Sequence, residues 1–280
     1  MKFSLFITFV LFTSLTFGQS PTDQNRKFQK GRFFFFWGWN RDQFSKSDIH
    51  FKGNDYDFTL ADVVAKDRPI PFGFNPHLDP RRITLPQYNF RIGYFFKNHY
   101  ALSIGIDHMK YVVQQNQVVK ITGSINKFES AYNGTYINDT VTLRTGFLKF
   151  EHTNGLNYFN IDGRRYDEII VAGKLRLNLL EGLGIGILIP KTDATLLGMQ
   201  RHDAFHLSGY GFNALLGIQL PVYRSLFIQT ELKGGYINMP DILTTNSASD
   251  KANQSFFFSQ INLVFGTSLD FKKNKTISSK

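Results

Sequence analysis

Apolar and polar residues alternate along much of the chain with a period of two. In the segment 87–97, Arg91 and Gly93 share one parity. The other parity is wholly apolar and holds Tyr88, Phe90, Ile92, Tyr94 and Phe96. Because successive side chains of a strand point to opposite faces, this pattern predicts a strand with one apolar face. The chain then reverses near Asn98 and the alternation resumes at 101–107, which predicts a tight hairpin.

Eight such segments recur along the chain. They cover roughly 32–39, 87–97, 101–107, 169–179, 183–189, 206–220, 226–236 and 256–271. Short turns around Asn98, Glu181 and Tyr223 alternate with long connections. The long connections are about 40–86, 113–165, 191–205 and 237–254. Strands of about 9–11 residues with turns on one side and long loops on the other are typical of outer-membrane barrels.

The pattern therefore predicts an all-β fold, an eight-stranded antiparallel up-and-down transmembrane β-barrel over residues 31–271, with long extracellular loops at about 40–86 and 113–165. A soluble two-sheet sandwich shows the same alternation and is the alternative. Aromatic residues near strand ends, the alternation of loop lengths, and the apolar parity that ends at Phe271 favour the barrel.

The two ends of the chain differ from this pattern. Lys2 precedes an apolar run at 3–12, and small residues precede Gln19, which predicts a secretory signal peptide at 1–18. The apolar run is about half as long as a spanning helix of roughly 20 residues. We expect an N-terminal periplasmic segment at 19–30 and a basic C-terminal tail at 272–280.

From 32 to 271 the pattern resembles the small eight-stranded outer-membrane barrels of Gram-negative bacteria, the OmpA-transmembrane, OmpX and OmpW-like group. The abundant Phe, Asn and Lys make it most similar to uncharacterised outer-membrane barrels of the Bacteroidota. The resemblance implies a cell outer membrane location and a structural, accessory or surface-recognition role. Eight strands leave an interior that side chains fill, so no open pore is expected.

Charge and composition narrow the chemistry. The chain has no cysteine, which excludes disulfide scaffolds and thiolate metal sites, and its formal net charge is +10. In an envelope protein this charge favours outer-membrane lipid and lipopolysaccharide as partners, with no nucleic acid. We expect Arg81, Arg82, Arg164 and Arg165 to lie at strand tops and contact lipopolysaccharide phosphates.

Charged residues also occupy the parity opposite to the apolar face. Inward charges in a barrel must be paired to be tolerated. The sequence therefore predicts a charge network in the lumen, formed by Arg91, Asp107, Lys174, Glu231 and Lys233. Packing and charge balance are sufficient to explain such residues, and we expect no cofactor.

An enzyme is the alternative, less favoured reading. His206 and Ser208 lie two residues apart, and in the predicted strand they face lipid. They resemble the His-x-Ser pair of outer-membrane lipid A deacylases, which are esterases, but Gly209 stands where that family has Asn. A serine nucleophile needs a base and an orienting acid. Among nearby acids only Asp193 and Asp203 remain as candidates.

Two further features of the sequence each allow two interpretations. If the carboxylates of Asp107 and Glu151 converge near the upper rim, they form a candidate metal site. Ordinary ion pairs are the favoured interpretation of these two residues, so we expect no metal site. The first long loop contains Ile49, Phe51, Phe58 and Leu60, which predict a cap with a small apolar core. Such a cap serves either as a lid or as a surface for other envelope proteins.

Overall fold

The computed structural model describes residues 29–270 apart from 78, 80, 83–85, 128, 174, 200–203 and 224. The predicted signal peptide, most of the 19–30 segment and the basic tail therefore lie outside the described residues. No helix among the described residues is long and apolar enough to cross a membrane.

The described residues form fourteen strands and one helical turn, α1. In chain order they are β1 (Arg32–Phe44), β2 (Ser47–Lys52), β3 (Tyr56–Val63), β4 (Ala65–Lys66), α1 (Phe74–His77), β5 (Tyr88–Lys97), β6 (Tyr100–Val113), β7 (Val118–Ile125), β8 (Gly134–Thr142), β9 (Leu148–Ala172), β10 (Leu175–Leu188), β11 (Asp193–Leu196), β12 (Gly209–Tyr223), β13 (Leu226–Leu243) and β14 (Lys251–Asp270). Every strand pairing is antiparallel, as predicted.

Eight of the strands pair in a closed ring. The order is β1-β5-β6-β9-β10-β12-β13-β14, and β14 pairs again with β1. Successive paired residues around the ring are Phe33, Tyr94, Leu102, Gly163, Leu183, Ala214, Gly234, Ser259 and Gln43. The path returns to β1 ten residues after it began, from 33 to 43, and this stagger tilts the strands relative to the ring axis.

The hairpin between β9 and β10 corrects the predicted strand boundaries. The sequence placed a turn at Glu181, but β10 runs through this residue, and the chain turns at Gly173, which has φ 60°. Leu179 and Leu183 have the same parity, so the alternation continues across Glu181. The side chain of Glu181 points outward, and its Oε1 lies 3.8 Å from Arg165 Nη1. In the sequence, the charged Glu181 resembles a turn residue, but in the structure it is an outward-facing residue of a strand.

The two longest predicted loops contain regular structure. The 40–86 segment holds the end of β1 together with β2, β3 and β4, and 113–165 holds β7, β8 and most of β9. β2 pairs with the upper end of β14, and β3 joins β2 to β7. We call β2, β3, β7, β8, β11 and the adjoining upper ends of the ring strands the cap. The prediction of a separate apolar core there is confirmed, because Ile49, Phe51, Phe58 and Leu60 are all buried within it.

The ring interior is filled in layers. A lower apolar cluster lies toward the short turns and includes Phe34, Phe36, Phe95, Tyr166 and Phe227. The cap core closes the other end. Between them lies a layer of buried polar and charged residues. The two apolar layers separate these charges from water at both ends.

Inward-facing glycines make room for this filling. A Cβ atom at Gly184 would collide with the carboxylate of Asp162 and crowd Asn213, both of which point into the charged layer. In contrast, Gly163 faces outward, and a Cβ there meets nothing within 4 Å. The interior therefore demands glycine at 184 and only tolerates it at 163.

We expect Gly184→Ala to lower the free energy of unfolding by about 1–3 kcal/mol, because overpacking displaces the buried carboxylate. Gly163→Ala is the matched control, and its effect should be within about 0.5 kcal/mol. Urea unfolding of the detergent-solubilised protein, followed by the shift in gel mobility, measures both. Equal effects of the two substitutions would contradict the filled interior.

Candidate functional site

The charged layer contains six ionisable side chains from four ring strands. β5 supplies Arg91, β6 supplies Asp107, β9 supplies Asp162 and Arg164, and β13 supplies Glu231 and Lys233. Within each pair the residues are two positions apart, so both side chains point to the same face of the strand. None is more than 2% exposed.

These side chains pair across the ring. Arg91 Nη2 lies 3.1 Å from Asp107 Oδ1, and Lys233 Nζ donates to the other oxygen of the same carboxylate. Arg164 Nη1 lies 2.6 Å from Glu231 Oε1, while its Nη2 lies 3.1 Å from Asp162 Oδ2. Arg91 also pairs with Asp162. Three cations therefore face three carboxylates, and the charges of these six side chains cancel.

Amide side chains donate further hydrogen bonds to each of these carboxylates. Asn160 Nδ2 donates to Asp107 at 2.8 Å, and Asn213 Nδ2 donates to Asp162 at 3.1 Å. Gln229 Nε2 donates to Glu231 at 2.6 Å. A buried charge that is paired and hydrogen-bonded in this way fixes the strands that carry it, because removal of any partner leaves an unmatched charge in an apolar shell.

The predicted lumen residues meet here in part. Arg91, Asp107, Glu231 and Lys233 lie in this layer, and Lys174 lies outside the described residues. The sequence reading missed Asp162 and Arg164 as network members because it placed them in the 113–165 loop. Their parity, opposite to that of Phe159 and Ile161, was the available signal.

The four arginines predicted at the strand tops are in different places. Arg164 is buried and paired, so its assignment to a surface phosphate site was wrong. Arg165 points outward but pairs with Tyr100, next to the short turn, and its Nε lies 2.7 Å from Asp167 Oδ2. It is therefore at the end opposite the cap. Arg81 and Arg82 are exposed, and both contact Asp79.

The segment around Arg81 lies against the outer wall of the ring. Trp39 on β1 points outward, and its ring packs against Phe72 at 6.4 Å and His77 at 5.9 Å between centroids. The side chains of Phe72 and Phe74 are 71% and 79% exposed. This segment thus presents aromatic rings and arginines to the surroundings of the ring.

The His206 and Ser208 pair does not form a catalytic arrangement. Both residues precede β12 rather than lying in it. His206 Nε2 lies 3.0 Å from Asp241 Oδ2, an acid that the sequence reading did not consider. Lys251 and His206 together hold the pKa of Asp241 below its usual range. Ser208 is buried, and its hydroxyl donates to the His206 carbonyl oxygen at 3.3 Å, away from the imidazole.

The proposed convergence of Asp107 and Glu151 is also absent. Asp107 belongs to the charged layer, whereas Glu151 pairs with Arg68 at 3.1 Å and Lys149 at 3.4 Å on the cap side. Across the residues that the structure describes, no cluster of three or more His, Asp or Glu side chains is arranged to hold a metal ion.

Comparison with known proteins gives matches in shape only. No family model matches the chain, and no curated protein matches its sequence. The outer membrane protein OprG from Pseudomonas aeruginosa matches with a TM-score of 0.42 and 10% identity, over 86% of this chain and 97% of OprG. The outer membrane protein AlkL matches with a TM-score of 0.41 and 10% identity, over 91% of this chain and 98% of AlkL. Neisserial surface protein A matches with a TM-score of 0.35 and 8% identity, over 85% of this chain and 99% of that protein.

Asp107→Ala should lower the free energy of unfolding by about 3–5 kcal/mol, because Arg91 and Lys233 would lose a shared partner inside an apolar shell. Asp57→Ala removes an exposed carboxylate of the cap and should change stability by less than about 1 kcal/mol. Thermal unfolding in detergent measures both. A loss below about 0.5 kcal/mol for Asp107→Ala would show that water reaches this carboxylate.

His152 makes stability depend on pH. It lies in the cap among Tyr111 and Phe150, with Nδ1 3.0 Å from the Thr192 hydroxyl, and burial lowers its pKa to about 3. The unfolded chain, with a histidine pKa of about 6.5, binds more protons between these values. The free energy of unfolding should therefore fall as pH drops below about 6.5.

Unfolding midpoints measured from pH 7 to pH 5 test this dependence. His152→Gln keeps a polar side chain that does not titrate and should flatten the profile. His50→Gln, at a half-buried position of the cap beside Asp57, is the control and should leave the fall in stability below about pH 6.5 in place. A profile that His152→Gln does not alter would assign the pH dependence to another group.

Proposed function

We propose that this chain is a cell outer membrane protein whose ring spans the membrane as an eight-stranded barrel, with a structural, accessory or surface-recognition role. The observation that carries the proposal is the inverted polarity of the ring. Charged side chains such as Arg91, Asp107 and Lys233 are buried inside it, while large apolar side chains are exposed outside. A soluble protein rarely exposes a contiguous apolar surface of this extent.

The exposed apolar surface includes members of every ring strand. Examples in ring order are Phe33, Ile92, Ile104, Ile161, Ile185, Phe212, Leu232 and Leu263. Aromatic side chains border it on both sides, with Tyr94 and Tyr100 near the short turns and Tyr210 and Phe257 near the cap. An outward apolar band between aromatic girdles fits the hydrocarbon core of a bilayer.

The filled interior supports a role without conduction. The lower apolar cluster and the cap core lie on either side of the charged layer. An ion entering the ring would have to leave water and cross packed apolar side chains. This arrangement favours a barrel that anchors and displays its cap over one that transports solutes.

The cap and the segment beside it supply the surfaces for partners. Arg81 and Arg82 lie near the exposed Phe72 and Phe74, a combination that suits lipopolysaccharide or other anionic lipid at the membrane surface. Among the described strands, β8 pairs only with β7 and carries the exposed Ile137. Its free edge offers a surface for another envelope protein.

The orientation can be tested with single cysteines, because the chain has none of its own. Thr140→Cys places a thiol on exposed β8, and Lys97→Cys places one at an exposed short turn. A membrane-impermeant maleimide should label the first in intact cells and the second only after the outer membrane is permeabilised.

Labelling of Lys97→Cys alone in intact cells would reverse the orientation. Labelling of neither residue in intact cells, together with recovery of the protein in the soluble fraction, would contradict the membrane proposal. Gel mobility before and after boiling is the control that each variant is folded, because a closed ring has no free edge at which to open.

A further inference from the structure

A pocket of about 410 Å³ opens on the outer wall of the ring just below the cap. Its walls are apolar and aromatic, with Ile106, Phe159 and Ile189 among them. Its polar side chains are those of Tyr88, His108 and Asn157. Two amide or imidazole groups at this depth are unusual on a wall that is otherwise apolar, because each must be satisfied away from water.

One nitrogen of His108 lacks a partner in the pocket. Asn157 Nδ2 donates to the carbonyl oxygen of Ile189 at 3.1 Å, so its Oδ1 is the atom that accepts from His108 Nδ1 at 2.8 Å. The proton of the neutral imidazole is thereby assigned to Nδ1, and Nε2 keeps its lone pair. Nε2 makes no hydrogen bond to any described residue, although His108 is only 8% exposed and stacks on Tyr88.

An acceptor that faces apolar surroundings without a donor costs free energy, and a ligand that brings a donor removes this cost. The imidazole is held by the Asn157 hydrogen bond and by the Tyr88 ring, whose centroid is 5.0 Å away with the planes 15° apart. It is therefore fixed in orientation before any ligand arrives. The pocket thus offers a preorganised acceptor, His108 Nε2, within a largely apolar wall.

An apolar groove of about 710 Å³ continues from the pocket and shares Ile106 and Phe159 with it. The floor of the groove is a row of paired residues whose side chains, where present, point into the ring. The row is Gly105, Asn160, Gly186 and Gly211. The rows on either side form walls of Ile, Phe and Tyr side chains. The groove crosses five strands, from β5 to β12, and is about 19 Å long at a spacing of about 4.8 Å per strand.

We propose that pocket and groove together bind one membrane lipid that carries a hydrogen-bond donor, a hydroxyl or an amide N–H, where its acyl chain meets its polar part. The acyl chain lies in the groove, and the donor bonds to His108 Nε2. The site is continuous with the lipid-facing wall, so a lipid is the occupant that reaches it. This inference rests on the proposed membrane location of the ring.

Sphingomyelin and phosphatidylcholine are suitable probes, because they share the phosphocholine headgroup and only sphingomyelin has amide and hydroxyl donors beside its acyl chain. The folded protein is placed in mixed micelles with equal amounts of the two lipids, and native mass spectrometry counts the lipid that each protein retains. We expect one retained lipid, with sphingomyelin favoured about fivefold, as one added hydrogen bond provides.

His108→Phe keeps an aromatic ring against Tyr88 but removes the acceptor, and it should abolish the preference without abolishing retention. Ile161→Trp fills the groove and should reduce retention of both lipids. Leu263→Trp is the matched control, since Leu263 is outward-facing on β14 and similarly exposed, at 45% against 48% for Ile161. It should change neither quantity.

Equal retention of the two lipids by the wild type, or a preference that survives His108→Phe, would overturn the proposal. If His108→Phe does not fold, the groove variant and its control still decide the matter, because equal retention by Ile161→Trp and Leu263→Trp also overturns it. Failure of the lipid site leaves cysteine labelling and heat-dependent gel mobility unchanged. Failure of the membrane proposal would instead remove those two signatures.

Discussion

The structure depends on neutralising charge inside the ring. Arg91, Arg164 and Lys233 are matched by three carboxylates, and an isolated charge at this depth would cost as much as a whole domain's stability. The partners come from β5, β6, β9 and β13. The β5–β6 hairpin holds the Arg91–Asp107 pair, but Glu231 and Lys233 of β13 find their partners on β9 and β6. The ion pairs that β13 makes with β6 and β9 form only when these strands have closed the ring. A slip of one residue in any of them would turn its charges toward the apolar exterior.

The ring therefore faces two different surroundings, and the period-two alternation assigns one parity to each. Outward residues such as Ile104 are apolar because nothing in the protein covers them. Inward residues must pack together in a narrow interior, as apolar side chains near the short turns and as paired charges with glycines beside them in the middle. The apolar layers above and below exclude water from the charged layer, which strengthens its ion pairs and raises the cost of breaking them. The apolar outer wall and the packing of the interior thus favour the same pairing register of the ring strands.

Much of the ring was predictable from the sequence because the alternation is strong where one face is apolar. The boundaries were less so: Glu181 looked like a turn, although it is an outward charge paired with Arg165. The cap strands were missed because their prolines, charges and short lengths resemble loops, even though Ile49 and Phe51 already alternated. His206 and Asp241 are 35 residues apart, and no local pattern shows that two connections bring them together.

The interior and the outer groove are built from the same backbone. Asn160 sends its side chain inward to Asp107 and Arg91, which leaves only backbone on the outer side at that position. Gly186 and Gly211 flank Tyr158, so a side chain at either position would press on the aromatic side chain of Tyr158 inside the barrel. The row that forms the groove floor is thus bare outside because of what the interior needs. A groove fixed in this way has a constant shape, and at the lipid site proposed above this shape would let the His108 imidazole discriminate between lipids by one hydrogen bond.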